Sequence, residues 1–221
     1  MKSAIRFKPD FVGALAEKFN VILASASPRR RELLSRLDID FQVHPSEFAE
    51  DLDKAQFAAA SDYVVETAAR KARDVYRRVK SKSVKPLFVI GSDTVVVNSY
   101  GTILEKPKSD ADAAATLKGL SGRTNMVYTG VCLIVDVPDS SEPQLIKTVE
   151  STEVVFDELD DAVVDAYVKT GEPHDKAGSY AYQSFAGFFV REIRGDYYNV
   201  VGFPCARFFR MLQDLHQQGI I

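Results

Sequence analysis

An α/β fold is the class this sequence predicts: a mixed, curved sheet in two lobes with helices flanking it. Three observations lead there. Residues 19–24 (FNVILA) and 86–91 (PLFVIG) are continuous apolar runs of the length expected for buried strands. Helical signals lie between and beyond them. Two long β-rich stretches, Thr124–Val135 and Gln144–Phe156, are joined by a Pro/Asp/Ser turn and read as a hairpin, which a purely parallel fold would not contain.

Taken in order, residues 9–18 read as a short extra helix and 19–24 as the first strand. Ser27-Pro28 supplies an N-cap and a first helical position for a helix reaching about Leu37. Residues 39–44 form a second short strand, and 45–60 a loop with local Ala-rich helix. A long helix covers 62–79. After the strand at 86–91 the chain stays extended through 94–98 and turns at Asn98-Ser-Tyr-Gly101. Ser109, with Asp112 three residues on, forms an acidic variant of the capping box for a helix to about Leu120. Asp157 caps a helix ending near Lys169, with Gly171 just beyond. Residues 188–193 and Tyr197–Val201 flank Arg194-Gly195-Asp196 as a second hairpin. The last helix covers 205–217. No Pro/Gly/Ser linker divides the chain, so the expected organisation is an N-terminal extension over 1–18 and one domain of two lobes over 19–221.

Composition narrows the function. Of 221 residues 46% are hydrophobic, with 14 Phe and 9 Tyr, which excludes disorder. With 28 basic and 31 acidic side chains the net charge is −3, which argues against a nucleic acid polymer as partner. Cys132 and Cys205 lie far apart in apolar settings and read as buried thiols in a reducing compartment. His44, His174 and His216 share no metal-ligand spacing. No apolar run reaches the ~18 residues of a membrane span, and the first 19 residues lack a signal-peptide core. The expectation is a soluble, cytoplasmic protein with no membrane partner. Neither a P-loop nor a G-x-G-x-x-G motif is present, and Arg194-Gly195-Asp196 reads as a turn rather than an adhesion motif.

Five places can carry chemistry. At Ser25-Ala-Ser-Pro-Arg29-Arg30 a buried strand gives way to a helix N-terminus, whose open N–H groups and dipole favour an anion. Arg30 shares a helical stripe with Leu34 and Leu37, so it is either a cleft cation or a snorkelling surface arginine. Asp93 follows an apolar run at or near a strand end, where it is either a turn aspartate or a site acid. Lys71 falls on the edge of the inner stripe Val65, Ala68, Ala72 and Val75, while Arg70, Arg73 and Arg77 point away. Lys106 lies on an extended segment after the turn at Gly101. Gln183 sits among small and aromatic residues, and its amide offers the donor and acceptor that suit the imide edge of uracil or thymine. Inward cations, one acid and a helix N-terminus are the equipment for a polyphosphate with a divalent metal.

The same residues carry a resemblance. Leu23-Ala-Ser-Ala-Ser-Pro-Arg-Arg30 followed by Glu32-Leu-Leu34 resembles the opening signature of the Maf family of nucleoside triphosphate pyrophosphatases. Lys71-Ala72, Gly91-Ser-Asp-Thr94, Glu105-Lys-Pro107, Leu120-Ser-Gly122, Asp175-Lys-Ala-Gly178, Tyr182-Gln183 and Gly195-Asp-Tyr-Tyr-Asn-Val-Val-Gly-Phe-Pro204 follow in the family's order, across roughly residues 20–213. The resemblance implies a fold related to inosine triphosphate pyrophosphatase, with the site in a central cleft between two lobes. It implies hydrolysis between the α and β phosphates, Mg²⁺ or Mn²⁺ as cofactor, and a homodimer. Asp93 matches the family's proton acceptor, and Ser25, Arg30, Lys71 and Lys106 its phosphate positions. Arg29, Thr94 and Gln183 match the selectivity positions of the dTTP/UTP branch. The acids of Pro45-Ser-Glu-Phe-Ala-Glu-Asp51 are interrupted by Ala49, so Glu50 and then Glu47 are the added metal candidates beside Asp93, which itself reads as base or as ligand. The alternative is a nucleotide-binding regulator of cell division without significant turnover.

Overall fold

Residues 9–137 and 140–221 are described by the structure, a computed structural model. Among the described residues seven strands, β1 (Asn20–Leu23), β2 (Gln42–Val43), β3 (Leu87–Val97), β4 (Ile103–Leu104), β5 (Thr124–Val135), β6 (Gln144–Phe156) and β7 (Val190–Arg194), form one mixed sheet. Its order is β2-β1-β3-β5-β6-β7, with β4 also on β3. β1 runs parallel to β2 and β3, and the remaining pairs are antiparallel. The helices are α1 (Asp10–Lys18), α2 (Pro28–Ser35), α3 (Ala60–Lys80), α4 (Asp110–Leu120), α5 (Asp161–Lys169), α6 (Tyr197–Val201) and α7 (Cys205–Gln217).

Strand alternation distributes the core. One face of β3 presents Leu87, Val89, Val95 and Val97 to α3. The other presents Phe88 and Ile90 to α1, α2 and α7, and Val96 to α4 and α5. Helix α3 lies directly on the sheet because two strand residues there are glycines. A Cβ on Gly91 would stand 2.3 Å from the Ala68 carbonyl oxygen, and one on Gly130 2.6 Å from that of Val64. Glu66 ties α3 down further, accepting hydrogen bonds from Arg70 (2.8 Å) and from Lys147 of β6 (2.9 Å).

The hairpin of β5 and β6 has the predicted limits, although Pro138 and Asp139 of its turn, like residues 1–8, lie outside the described residues. Ser109 caps α4 by accepting from the Asp112 N–H, while Asp112 reaches back to the N–H of Lys108. Helix α1 packs Val12 and Leu15 into the same core as β1 and α7.

Four expectations need correction. Residues 87–97 are one eleven-residue strand, so Asp93 sits inside it rather than at its end. The cap of α5 is Asp160, not Asp157: its carboxylate accepts from the Val163 N–H at 2.8 Å. No second hairpin forms at Arg194-Gly195-Asp196, because Asp196 accepts from the Tyr198 N–H and starts α6 instead of a strand. A β-rich composition at Tyr197–Val201 was outweighed there by a local cap. The strand expected over 188–193 begins later, at Val190, because 185–188 coils into a 3₁₀ turn.

Two outcomes test this packing. Gly91→Ala forces a methyl into the α3 backbone and should cost about 1–3 kcal/mol of stability, read from urea midpoints. Burial raises the Glu66 carboxyl, but Lys147 and Arg70 outweigh it and hold it down at about 2, against an ordinary 4.5. A depressed carboxylate stabilises fully above its unfolded value and loses that contribution as pH falls through its folded value. The stability gap between wild type and Glu66→Gln should therefore shrink as pH falls from 4.5 towards 2; a gap independent of pH would show that the ion pairs contribute nothing.

Candidate active site

The site forms at a gap in the sheet. Along one edge β3 is paired by β5 throughout, but along the other β1 ends at Leu23–Ile90 and β4 begins only at Leu104–Val96. Residues 91–95 therefore have no strand neighbour on that edge. Asp93 and Thr94 point to opposite faces, yet both border the opening. The segment leaving β1 brings Ser25, Arg29 and Arg30 to one side of it, and the segment leaving β4 brings Glu105 and Lys106 to the other. A cleft of about 670 Å³ results, also lined by Glu50, Lys71 and Gln183.

Asp93 and Lys71 are each only 8% exposed, and Lys71 Nζ donates to Asp93 Oδ1 at 2.8 Å. Removing such charges from water is costly unless they are paired, which explains the contact. The same ammonium lies 2.8 Å from Glu50 Oε2. Glu50 has φ 55°, a left-handed conformation uncommon for a residue with a side chain. Among the described residues no hydrogen bond reaches the second oxygen of Asp93, which can take a water or a cation.

Arg30 is equally buried, at 8% exposure. Its Nε donates to the Gly202 carbonyl (2.9 Å), one terminal nitrogen to Ser25 Oγ (3.2 Å) and the other to Thr94 Oγ1 (2.9 Å). All three acceptors are neutral. Thr94 shares a 2.9 Å hydrogen bond with Thr129, whose hydroxyl donates to the Asn199 carbonyl at 3.2 Å. Burial lowers the Arg30 pKa, and the nearby Asp93 charge opposes that shift. A buried guanidinium stays charged, so it stands here without a carboxylate in its fork.

Helix α2 offers less than the sequence implied. Ser27 Oγ accepts from the Arg30 N–H, the Ser27 carbonyl accepts from Arg31, and Pro28 has no N–H. Among the described residues, Arg29 alone keeps an open donor in that first turn. The anion-seeking character of this corner rests on side chains.

The structure gathers Ser25, Arg29, Arg30, Glu50, Lys71, Asp93, Thr94, Lys106 and Gln183 around one cleft. It does not bring in Glu47, whose carboxylate pairs with Arg78 at 2.9 Å away from the opening. Lys54, Glu105, Asp175 and Lys176 also line the cleft. Lys54 pairs with Glu105 and stands 5.4 Å from the Tyr63 ring centre, closing one rim. Burial raises the Asp175 carboxyl, but Lys176 and Arg29 hold it below the usual range. Asp175 and Lys176 were visible as a motif, whereas Lys54 was one cation in an irregular loop. Six basic side chains face four carboxylates in the cleft, so it carries surplus positive charge.

Asp93 and Glu50 converge on a single ammonium. Among the described residues no group of three or more His, Cys, Asp or Glu side chains could hold a metal ion. Two carboxylates with phosphate oxygens and water nonetheless suit Mg²⁺, which binds in that manner in phosphate-processing sites. Among the described residues no helix is long and apolar enough to cross a membrane.

A family profile described as "Maf-like protein" matches residues 20–215. A Thermococcus kodakarensis protein named "dTTP/UTP pyrophosphatase" is 48% identical over 184 residues, covering 83% of this chain and 90% of that protein. A Clostridium perfringens protein of the same name is 40% identical over 194 residues, covering 88% and 96%. A Homo sapiens protein named "Probable bifunctional dTTP/UTP pyrophosphatase/methyltransferase protein" is 45% identical over 210 residues, and the chain spans 33% of its length.

The buried pair yields a prediction that needs no substrate. Lys71→Met leaves Asp93 buried beside an apolar chain and should destabilise by about 3–5 kcal/mol. Adding Asp93→Asn should recover much of that loss. Equal stability of the single and double variants, measured by denaturant unfolding, would show that the two side chains are not energetically coupled.

Proposed function

Since the chain belongs to the Maf family, we propose that it hydrolyses dTTP and UTP, and modified pyrimidine triphosphates of the same shape, to the monophosphate and pyrophosphate. The observation that carries this reading is the buried Arg30 fork without a carboxylate, facing the same cleft as the Lys71–Asp93 pair. A surplus of positive charge, partly desolvated, suits a polyphosphate tail. The names of the relatives supply the nucleotide class.

In this reading the tail lies along the gap in β3. Arg30, Lys71 and Lys106 balance the charge that develops on the departing pyrophosphate. Asp93 holds a water through its open oxygen, accepts its proton and aims it at the α phosphorus. The P–O bond to the β-phosphate side breaks as the new P–O bond forms. Phosphoryl transfer relies on such positioning and charge stabilisation more than on covalent chemistry. Asp93 and Glu50 would hold a Mg²⁺ or Mn²⁺ ion, which when bound would supply positive charge against the phosphates. Gln183 meets the base edge, with Arg29 and Thr94 shaping the pocket beside it. The architecture is read as two lobes, related to inosine triphosphate pyrophosphatase, with α2 and α7 on one side of the cleft and α4 and α5 on the other. The setting is read as the cytoplasm.

Asp93→Asn should lower kcat for UTP by roughly 10²–10⁴ if the carboxylate is the general base. Pyrophosphate release from UTP with Mg²⁺ or Mn²⁺ measures it. Near-full turnover in Asp93→Asn removes that assignment. UTP binding without turnover in the wild type would favour the regulator instead.

A further inference from the structure

We infer that Tyr167 and Glu172 are positioning residues for base selection, because together they clamp both ends of the turn that carries Gln183. The inference rests on the reading of Gln183 given above and extends it to residues that do not touch the base.

Gln183 is an exposed residue of the cleft lining, and among the described residues its amide has no protein partner. Its place is therefore set by its backbone. Residues 181–184 form a turn closed by the Ser184 N–H, which donates to the Ala181 carbonyl at 3.1 Å, so Tyr182 and Gln183 are the two central residues. An exposed turn left to itself samples many conformations. This one is held at both ends by a single pair of side chains. Tyr167 projects from α5 into the core, with its ring centre 5.2 Å from that of Phe189. Its hydroxyl accepts from the Ala181 N–H at 3.2 Å and donates to Glu172 Oε1 at 2.7 Å. The other oxygen of Glu172 accepts from the Ser184 hydroxyl. The first and fourth residues of the turn thus end on one tyrosine–glutamate pair.

Glu172 is fixed in its turn. Its N–H donates to Thr170 Oγ1 at 3.2 Å, and Lys176 Nζ donates to its carbonyl at 3.2 Å. Gly171, at φ 73°, lets the chain reverse after α5 and delivers Glu172 to this spot. The rigid end of the arrangement is a helix packed in the core, and the far end is the residue facing the nucleobase.

The chemistry of the amide makes such a clamp useful. Glutamine carries a donor and an acceptor side by side and can rotate to present either order. The edges of uracil and cytosine differ in that order. On a wandering turn the whole side chain can shift to suit either base, whereas a turn held at both ends fixes where the amide stands and leaves only its end-over-end rotation to accommodate the second base.

The test compares full-length wild type with Tyr167→Phe, Glu172→Gln and Ser184→Ala, and with Gln183→Ala as the reference. Three readouts are taken with Mg²⁺ present: kcat/KM for UTP, kcat/KM for CTP, and inhibition by inorganic pyrophosphate. Tyr167→Phe should lower the UTP/CTP ratio about tenfold, the scale of one lost hydrogen bond, and should act through KM for UTP more than through kcat. Glu172→Gln and Ser184→Ala should lower the ratio by less. Inhibition by pyrophosphate, which has no base, should stay unchanged. Ser184 is exposed, so its variant reports even if Tyr167→Phe folds poorly. The inference is overturned if the clamp variants keep the wild-type ratio while Gln183→Ala changes it. It is equally overturned if ratio and pyrophosphate inhibition weaken together, since general loosening then explains both. If Gln183→Ala itself leaves the ratio intact, the reading of Gln183 fails and takes the inference with it.

Discussion

Lys71 can reach Asp93 only because α3 crosses the sheet where the strands have no side chains. At Gly91 and Gly130 the helix backbone rests against strand backbone, closer than any Cβ would permit. That contact sets the height of the whole helix. It presents Lys71 two residues past Gly91 on the same strand face, at hydrogen-bond distance from a carboxylate the core would otherwise exclude. The strand pairing supplies the second half of the constraint. Because β1 stops and β4 starts on either side of residues 91–95, acid and cation meet at an opening rather than in a sealed interior. Had β1 been five residues longer, the same pair would be a buried salt bridge with no access.

The electrostatics of the cleft follow from that opening. Lys71 is shared between two acids, whereas Arg30 is hydrogen-bonded to neutral oxygens, with Asp93 and Glu50 near it in charge but no carboxylate in its fork. Such a cation costs stability in the free protein, a cost that a bound anion would offset. Arg30 donates into a hydroxyl chain in which Thr94 meets Thr129 at 2.9 Å and the Gly202 carbonyl at 3.4 Å, and Thr129 donates on to the Asn199 carbonyl. The guanidinium is thereby oriented before any ligand binds. Preorganised charge of this kind is effective because little reorganisation is left for the moment of reaction.

Much of this was legible in the sequence because the responsible signals are local. The apolar runs marked β1 and the first half of β3, Ser27-Pro28 marked the start of α2, and the 3.6-residue stripe of α3 placed Lys71 at its inner edge. Asp93 was misplaced within its strand because a carboxylate following Gly-Ser resembles a strand end when no partner is visible. The gap that justifies its position is a matter of pairing between β1, β3 and β4, which no window of sequence contains. Asp196 overrode a β-rich stretch through one cap, a contest decided by a single hydrogen bond. Glu47 and Glu50 are chemically alike and three residues apart. Only the path of the loop, with Glu50 in a left-handed conformation, separates the carboxylate that reaches Lys71 from the one that turns to Arg78.

The two ends of the cleft are built from different materials. Asp93 stands on a central strand, Lys71 on the buried face of a 21-residue helix packed on that strand, and Arg30 on a helix anchored in the core by Leu33 and Leu34. Gln183 stands on a short turn between 3₁₀ segments, joined to the core through side chains rather than through sheet or helix ladders. A substitution beneath Asp93, Lys71 or Arg30 strains the core, so on the proposed reading it touches stability and chemistry together. A substitution in the exposed part of the turn, at Gln183 or Ser184, alters one or two hydrogen bonds near the surface and leaves the sheet intact. If Gln183 meets the base and Asp93, Lys71 and Arg30 the phosphates, as proposed, base preference can change by small steps while the phosphate end stays fixed, because the two ends are held by different parts of the fold.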